Sequence, residues 1–287
     1  MILGSHRAAA DLCSLEPGTH LCALEPDGAQ LDRVAATFVG QGLAAGDQLL
    51  YVASDEQVDG LVQRLSERLD ARQALRTGQL VTSSFELAYG STRPERLETV
   101  GDGFRLAARE TSKRGFSALR VAARMDGLTD LLGSIEAMTS WERMSTRLQR
   151  ELRVSSVCLY DTSRLEPGDG AAVAREHDGL APQVDVAPIA TFLAVDEPWG
   201  VRVRGEIDVS NRHLLHRLVL SRATVSPRLR LDLDGVTFAD AATIARLRSI
   251  AAALPQGGHL VLAHVPSVVR RILQATGLRH DRLRFEP

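Results

Sequence analysis

The chain has almost no lysine: of its 34 basic residues only Lys113 is one, and the rest are arginine. A Walker-type phosphate loop needs glycine N–H groups to wrap the phosphates and a lysine to reach the outer ones. The turn in the corresponding place, LEPDGAQLDR (residues 24–33), has one glycine, several acids and no lysine. That argues against an ATPase. The three cysteines, Cys13, Cys22 and Cys158, form no CxxC pair and no disulfide framework. A reducing cytoplasm is the expected location. Net charge is only −2 and aromatics are 4% of the chain, so neither a basic coat nor a basic–aromatic pattern points to nucleic acid. No apolar run is long enough to span a bilayer. The N-terminus, MILGSHRAAADLCSLEPG, is too polar for a signal peptide. GxSxG, HExxH and GxGxxG are absent, and no spacing orders Ser, His and Asp into a triad. The expectation is a non-enzymatic chain with no nucleic-acid or membrane partner, no catalytic residue, no cofactor and no metal.

What is present is alternation. The 287 residues allow one large or two modest domains. From His20 to about Tyr160, strand-like and helix-like stretches follow one another. HLCALE (20–25) reads as a strand, followed by a helix carrying Leu31, Val34, Phe38 and Leu43 at helical spacing. DQLLYVAS (47–54) suits a strand buried on both faces, and QLVTSS (79–84), SALRVAAR (117–124) and VSSVCLYD (154–161) suit further strands. A helix with Thr92 as N-cap and Pro94 in its first turn ends at Gly115, and a long helix covers roughly 129–152. This alternation predicts a parallel sheet with helices on both faces. Residues 165–188 lack clear periodicity and read as a linker, with room for a short helix. A second, smaller α/β unit follows. The expected division is a tail over 1–16, a first unit over 17–164, the linker over 165–188 and a second unit over 189–287.

The second unit carries three landmarks in order: VRGEIDVSN (203–211), RLRLDLDGVTFAD (228–240) and GGHLVLAHVPSVVRRILQATGL (257–278). On these it resembles a STAS domain, the anti-sigma factor antagonist fold. The resemblance implies that the aspartate, here Asp240, is followed by a serine at a helix N-terminus. A partner anti-sigma factor phosphorylates that serine; it is a serine kinase of the histidine-kinase-like ATPase type. A helix N-terminus tolerates a phosphate, whose charge and bulk then switch docking. This chain has Ala241 in the serine position, Ala242 next and Thr243 where the family has glycine. The turn Asp240–Ala241–Ala242–Thr243 is therefore the expected partner surface, with its usual phosphosite missing. Thr243 is either a displaced phosphosite or a capping residue.

The first unit, from about 17 to 177, resembles the MEDS sensory domain of DcmR-type regulators through PGTHLCALE, FVGQGLAAGDQLLYVASDE, GFSALRVAARMDGL and VCLYD. That resemblance implies a RecA- or KaiC-like core that has lost nucleotide chemistry and senses a small molecule. Where such cores often show an acid at a strand end, Arg124 stands, and Asp126 is the substitute two residues on. The candidate ligand residues are His20, Cys22, Asp27, Arg124 and Asp126. His20 and Cys22 lie two apart on one strand, hence on one face, and are placed at the sheet's C-terminal end, where open α/β sheets bind ligands. The bland alternatives are a histidine anchoring the strand and a cysteine packed in the core. Their spacing supplies too few close ligands for zinc.

Together these readings describe a cytoplasmic signalling regulator of transcription or stress response. Its first half senses a small molecule or partner, and its second half docks an anti-sigma factor. Two rivals stand beside it: a STAS-based scaffold, which requires a homo-oligomer, and a degenerate nucleotide-binding enzyme.

Overall fold

The computed structural model describes residues 15–67, 69–89, 97–181, 189–277 and 280–286. The first unit runs β1 (His20–Glu25), α1 (Gly28–Ala44), β2 (Gln48–Val52), α2 (Asp55–Ser66), α3 (Ala71–Arg76), β3 (Leu80–Ser83) and α4 (Phe85–Tyr89). It continues through α5 (Leu97–Lys113), β4 (Leu119–Arg124), α6 (Asp126–Leu132), α7 (Ile135–Leu152), β5 (Ser155–Asp161), α8 (Asp169–Ala174) and β6 (Gly179–Leu180). The six strands lie in the order β3-β2-β4-β5-β1-β6, and every pair is parallel. All six residues of central β4 are buried, because helices cover both faces of the sheet. On one face Leu31, Phe38 and Leu43 of α1 meet Leu49 and Leu159. On the other, Trp141 of α7 packs with Met125, Cys158 and Tyr160.

Several local readings change. The long helix expected over 129–152 is two, α6 and α7. Gly133 lies between them at φ +67°, and Ser134 caps α7 by accepting from the Ala137 N–H at 3.2 Å. Residues 165–188, read as linker, contain α8 and β6, and β6 pairs with β1. These elements are six and two residues long, too short to leave a periodic signal. Thr92 and Pro94 lie outside the described residues.

The second unit is built from β7 (Ala190–Asp196), β8 (Trp199–Ile207), α9 (Arg212–Val225), β9 (Arg228–Asp232), β10 (Val236–Ala239), α10 (Ala241–Ala253), β11 (His259–Ala263), α11 (Ser267–Thr276) and β12 (Leu283–Phe285). Its sheet runs β10-β8-β9-β11-β12 in parallel, with β7 added to β8 as an antiparallel hairpin. Its core includes Leu218, Val219, Leu231, Ile250 and Leu260, and also Ala45 and Phe116 from the first unit. The two units therefore share buried surface. Helix α9 forms the seam. Leu218 lies so close to Gly46 that a Cβ there would sit 2.3 Å from its Cδ2, and Gly46 also holds φ +77°. Only glycine fits that turn. The Ser221 hydroxyl donates to the Phe116 carbonyl at 2.6 Å, and Arg222 donates to the Arg114 carbonyl at 3.1 Å.

Candidate functional site

Three places carry the chemistry. The first is the N-terminus of α10. Asp240 caps it, accepting from the Thr243 N–H at 2.6 Å, and its other oxygen takes a hydrogen bond from Arg212 at 3.0 Å. Burial pushes the Asp240 carboxyl upward. The hydrogen bonds from Thr243 and then Arg212 outweigh that and hold it below the usual carboxylate range. Ala241 and Ala242 are exposed on the first turn. Thr243 is not: it is 1% exposed, and its hydroxyl faces the Ile207 carbonyl at 3.4 Å. The reading of Thr243 as a displaced phosphosite is thereby corrected, since a kinase needs a hydroxyl in solvent and this one points into the core. Val209, just after β8, and Phe238, on β10, are exposed apolar side chains. The first three turn residues thus form one surface, and Thr243 supports it from beneath.

The second place is the C-terminal edge of the first sheet. Asp27 is exposed and caps α1, accepting from the Ala29 N–H at 2.9 Å. A carboxylate thus already occupies the helix N-terminus that would otherwise receive a phosphate. Arg124, at the end of β4, is buried and pairs with Asp126 at 3.0 Å and Asp32 at 3.0 Å. The Asp126 Oδ1 atom is buried without a hydrogen-bond partner. Arg124 and Asp126 therefore form one charge cluster with Asp32. Lys113 pairs with Glu110 on its own helix, at 2.7 Å. At this edge Asp32 and Asp126 thus flank buried Arg124, and Asp27 adds a further carboxylate.

His20 and Cys22 are elsewhere. His20 is the first residue of β1, so both lie toward the N-terminal half of the strand, not at the C-terminal edge as expected. The strand starts at His20 because its backbone N–H donates to the Asp178 carboxylate at 2.9 Å and its carbonyl accepts from the Asp178 N–H at 2.7 Å. Both side chains are fully buried.

His20 opens the third place, a polar cluster inside the protein. Its Nε2 lies 3.2 Å from Cys158 Sγ and 3.4 Å from Glu142 Oε2. His177 Nε2 lies 3.5 Å from the same Glu142 oxygen, without the alignment of a hydrogen bond. The Tyr160 hydroxyl donates to the other oxygen of Glu142. Burial pushes the Glu142 carboxyl up to about 7 against the hydrogen bonds from Tyr160 and Cys158. Burial likewise lowers both imidazoles and raises the Cys158 thiol. Cys22 packs on the same face, and its thiol is pushed up to about 12 by burial and then by Glu142. The sequence reading missed Glu142, Tyr160, His177 and the role of Cys158. One signal was available: Glu142 sits on the buried stripe of α7 between Trp141 and Ser145, where an unpaired acid is costly.

A cleft of about 500 Å³ also opens at the seam, between Ser66, Leu69, Asp70 and Arg72 of the first unit and Thr191, Leu193, Arg202 and Arg204 of the second. Arg202 crosses it to donate to Gln73 at 3.3 Å.

Compared with known families, residues 19–178 match the model described as MEDS, the methanogen/methylotroph, DcmR sensory domain. Residues 185–284 match the model described as Mlab, STAS domain. No curated protein matches the chain. Among solved structures, the flagellar accessory protein FlaH from Methanocaldococcus jannaschii is similar at 10% sequence identity and a TM-score of 0.39, over 57% of this chain and 70% of that one. No helix among the described residues is long and apolar enough to cross a membrane.

Proposed function

Because the chain belongs to the MEDS family over residues 19–178 and carries a STAS domain over residues 185–284, we propose that it is an anti-sigma factor antagonist controlled by ligand instead of phosphate. Both halves are of signalling type, one sensory and one regulatory. The observation that carries the reading is the α10 turn. Asp240 caps it, and the two exposed positions that follow are alanines. Exposed Ala241 and Ala242, with the Asp240–Arg212 pair beside them, suit a protein partner. The partner is an anti-sigma factor of the histidine-kinase-like ATPase type. It docks without being able to release itself by phosphorylating position 241.

Control then falls to the first half. The cleft at the seam is lined by both units, so a small anionic molecule held by its arginines changes the energy of their relative placement. The test is a pull-down of the host's anti-sigma kinases with ATP present and absent, read also on a phosphate-affinity gel. Wild type binds one kinase and takes up no phosphate. Ala241→Asp, which places a charge where the family carries phosphate, loses binding while its thermal unfolding is unchanged. Ala241→Asp binding as tightly as wild type defeats the docking model.

A further inference from the structure

We propose that Nε2 of His20, Nε2 of His177, Sγ of Cys158 and one carboxylate oxygen of Glu142 together bind a divalent transition-metal ion, with zinc the best match. The four atoms lie within 4.8 Å of one another. A tetrahedral zinc with ordinary Zn–N, Zn–O and Zn–S lengths sets its ligands about 3.3–3.6 Å apart. The observed separations are 3.2 Å from His20 to Cys158, 3.4 Å and 3.5 Å from each histidine to Glu142, and 3.9 Å from Cys158 to Glu142. Four of the six separations thus fall near the tetrahedral spacing, and the widest, within 4.8 Å, has to close by about an ångström around an ion.

The surroundings prepare each ligand. Thr146 uses its one hydroxyl proton on a backbone carbonyl, that of Glu142 or Glu176, so it accepts from His20 Nδ1 at 2.7 Å. His177 Nδ1 donates to the Val173 carbonyl at 2.9 Å. Both imidazoles are thus held in the tautomer that leaves Nε2 with a bare lone pair, and both Nε2 atoms lie beside the same Glu142 oxygen. Metal-binding histidines are oriented in this way. Tyr160 holds Oε1 of Glu142, while Oε2 accepts only the long contact from Cys158 at 3.9 Å and faces both histidines. The buried Nε2 of His177 has no hydrogen-bond partner, so its lone pair is available to an ion. Two nitrogens, a thiolate and a carboxylate suit zinc and its neighbours, whereas magnesium and calcium favour all-oxygen sets. One thiolate and one carboxylate also neutralise a divalent ion, so the loaded centre is electrically neutral in a dry interior. Binding displaces the thiol proton of Cys158 to solvent.

His20 and Cys158 stand on neighbouring strands and Glu142 on α7, but His177 belongs to the segment after α8. That segment is pinned from outside by the ion pairs Arg143–Glu176 and Arg150–Asp178. It supplies the fourth ligand, shortly before the chain passes into the second unit.

The test strips the full-length protein with a chelator, checks its far-UV dichroism and titrates it with Co²⁺ and then Zn²⁺. One Co²⁺ binds per chain with a thiolate-to-cobalt charge-transfer band and tetrahedral d–d absorption, and Zn²⁺ displaces it. Cys158→Ser loses the band, His177→Ala loses the site, and Cys22→Ser keeps both. Tyr160→Phe keeps the site with affinity weaker by about 10–100-fold. If stripping unfolds the chain, metal content of the protein as purified decides: one ion per wild-type chain and none in folded His177→Ala. A folded, stripped wild type that takes up no cobalt with that band overturns the assignment. So does a Cys158→Ser protein that keeps the band, or as-purified wild type without metal.

Discussion

The carboxylate of Asp47, in the turn between α1 and β2, reaches Arg217 of α9 across the seam at 3.0 Å. Its other oxygen accepts from Arg120 of β4 at 2.6 Å. Asp47 is 1% exposed and Arg120 is 3% exposed, whereas Arg217 is 33% exposed. One buried acid thus serves both the first sheet and the junction with the second unit.

Removing the acid and removing its outer partner have different consequences. Asp47→Ala removes the buried acid that Arg120 pairs with, and breaking such a buried pair costs about 3–5 kcal/mol. Arg217→Ala removes a partly exposed partner and costs about 1 kcal/mol or less. Urea unfolding of the two variants measures the contrast. Equal losses would mean that the junction, not Arg120, is what Asp47 chiefly stabilises.

Arg222 is a second seam residue. Its side chain is fully buried and stacks over Trp199, with its guanidinium carbon 3.3 Å from the ring centroid. It donates to the Val195 carbonyl at 2.5 Å, to Asp196 at 2.7 Å and to Arg114 of the first unit at 3.1 Å. A lysine has neither the planar fork nor the stacking face. Arg222→Lys is therefore expected to destabilise by about 3 kcal/mol, in the range for breaking a buried charge network, and to speed proteolysis at the seam. Chemical denaturation and limited digestion check both; a loss within experimental error of zero would show that the network is dispensable.

Asp240 gives the α10 cap a pH dependence. Its folded-state pKa lies below the ordinary value because Thr243 and Arg212 overcome the opposing effect of burial. A depressed carboxyl stabilises the fold above its unfolded value, about 3.9, and loses that contribution as pH falls through the folded value. Asn is also a good cap and does not titrate. Wild type should therefore exceed Asp240→Asn in Tm between pH 7 and about 5, and the gap should close below about pH 4. A gap that stays constant to pH 3 would show that the charge is not what matters.

Much of the architecture was legible in the residues. β4 reads as a buried strand because LRVAAR is apolar at its centre, and α11 ends at Gly277, at φ +59°, as its sequence announces. These features are local, and local propensity and periodicity report them. The division of 129–152 was harder to see, because the apolar spacing of α6 and α7 continues across Gly133 and hides the break. The α10 turn was readable in composition, but which of its residues face solvent was not. Thr243 is turned inward by its place on the first turn against Ile207.

The sequence by itself determined the two α/β units, the capped but hydroxyl-free turn at Ala241 and Ala242, and the absence of a phosphate-binding lysine beside Asp27. Each depends on residues close together in the chain. Only the tertiary structure decided that His20, Glu142, Cys158 and His177 meet, and that Asp47 joins Arg120 to Arg217. Strand β1 must pair with β5, α7 must lay its polar residues over that pair, and the segment after α8 must fold back on β1. Spacing along a chain carries no record of such meetings, because burial and strand pairing bring distant donors together.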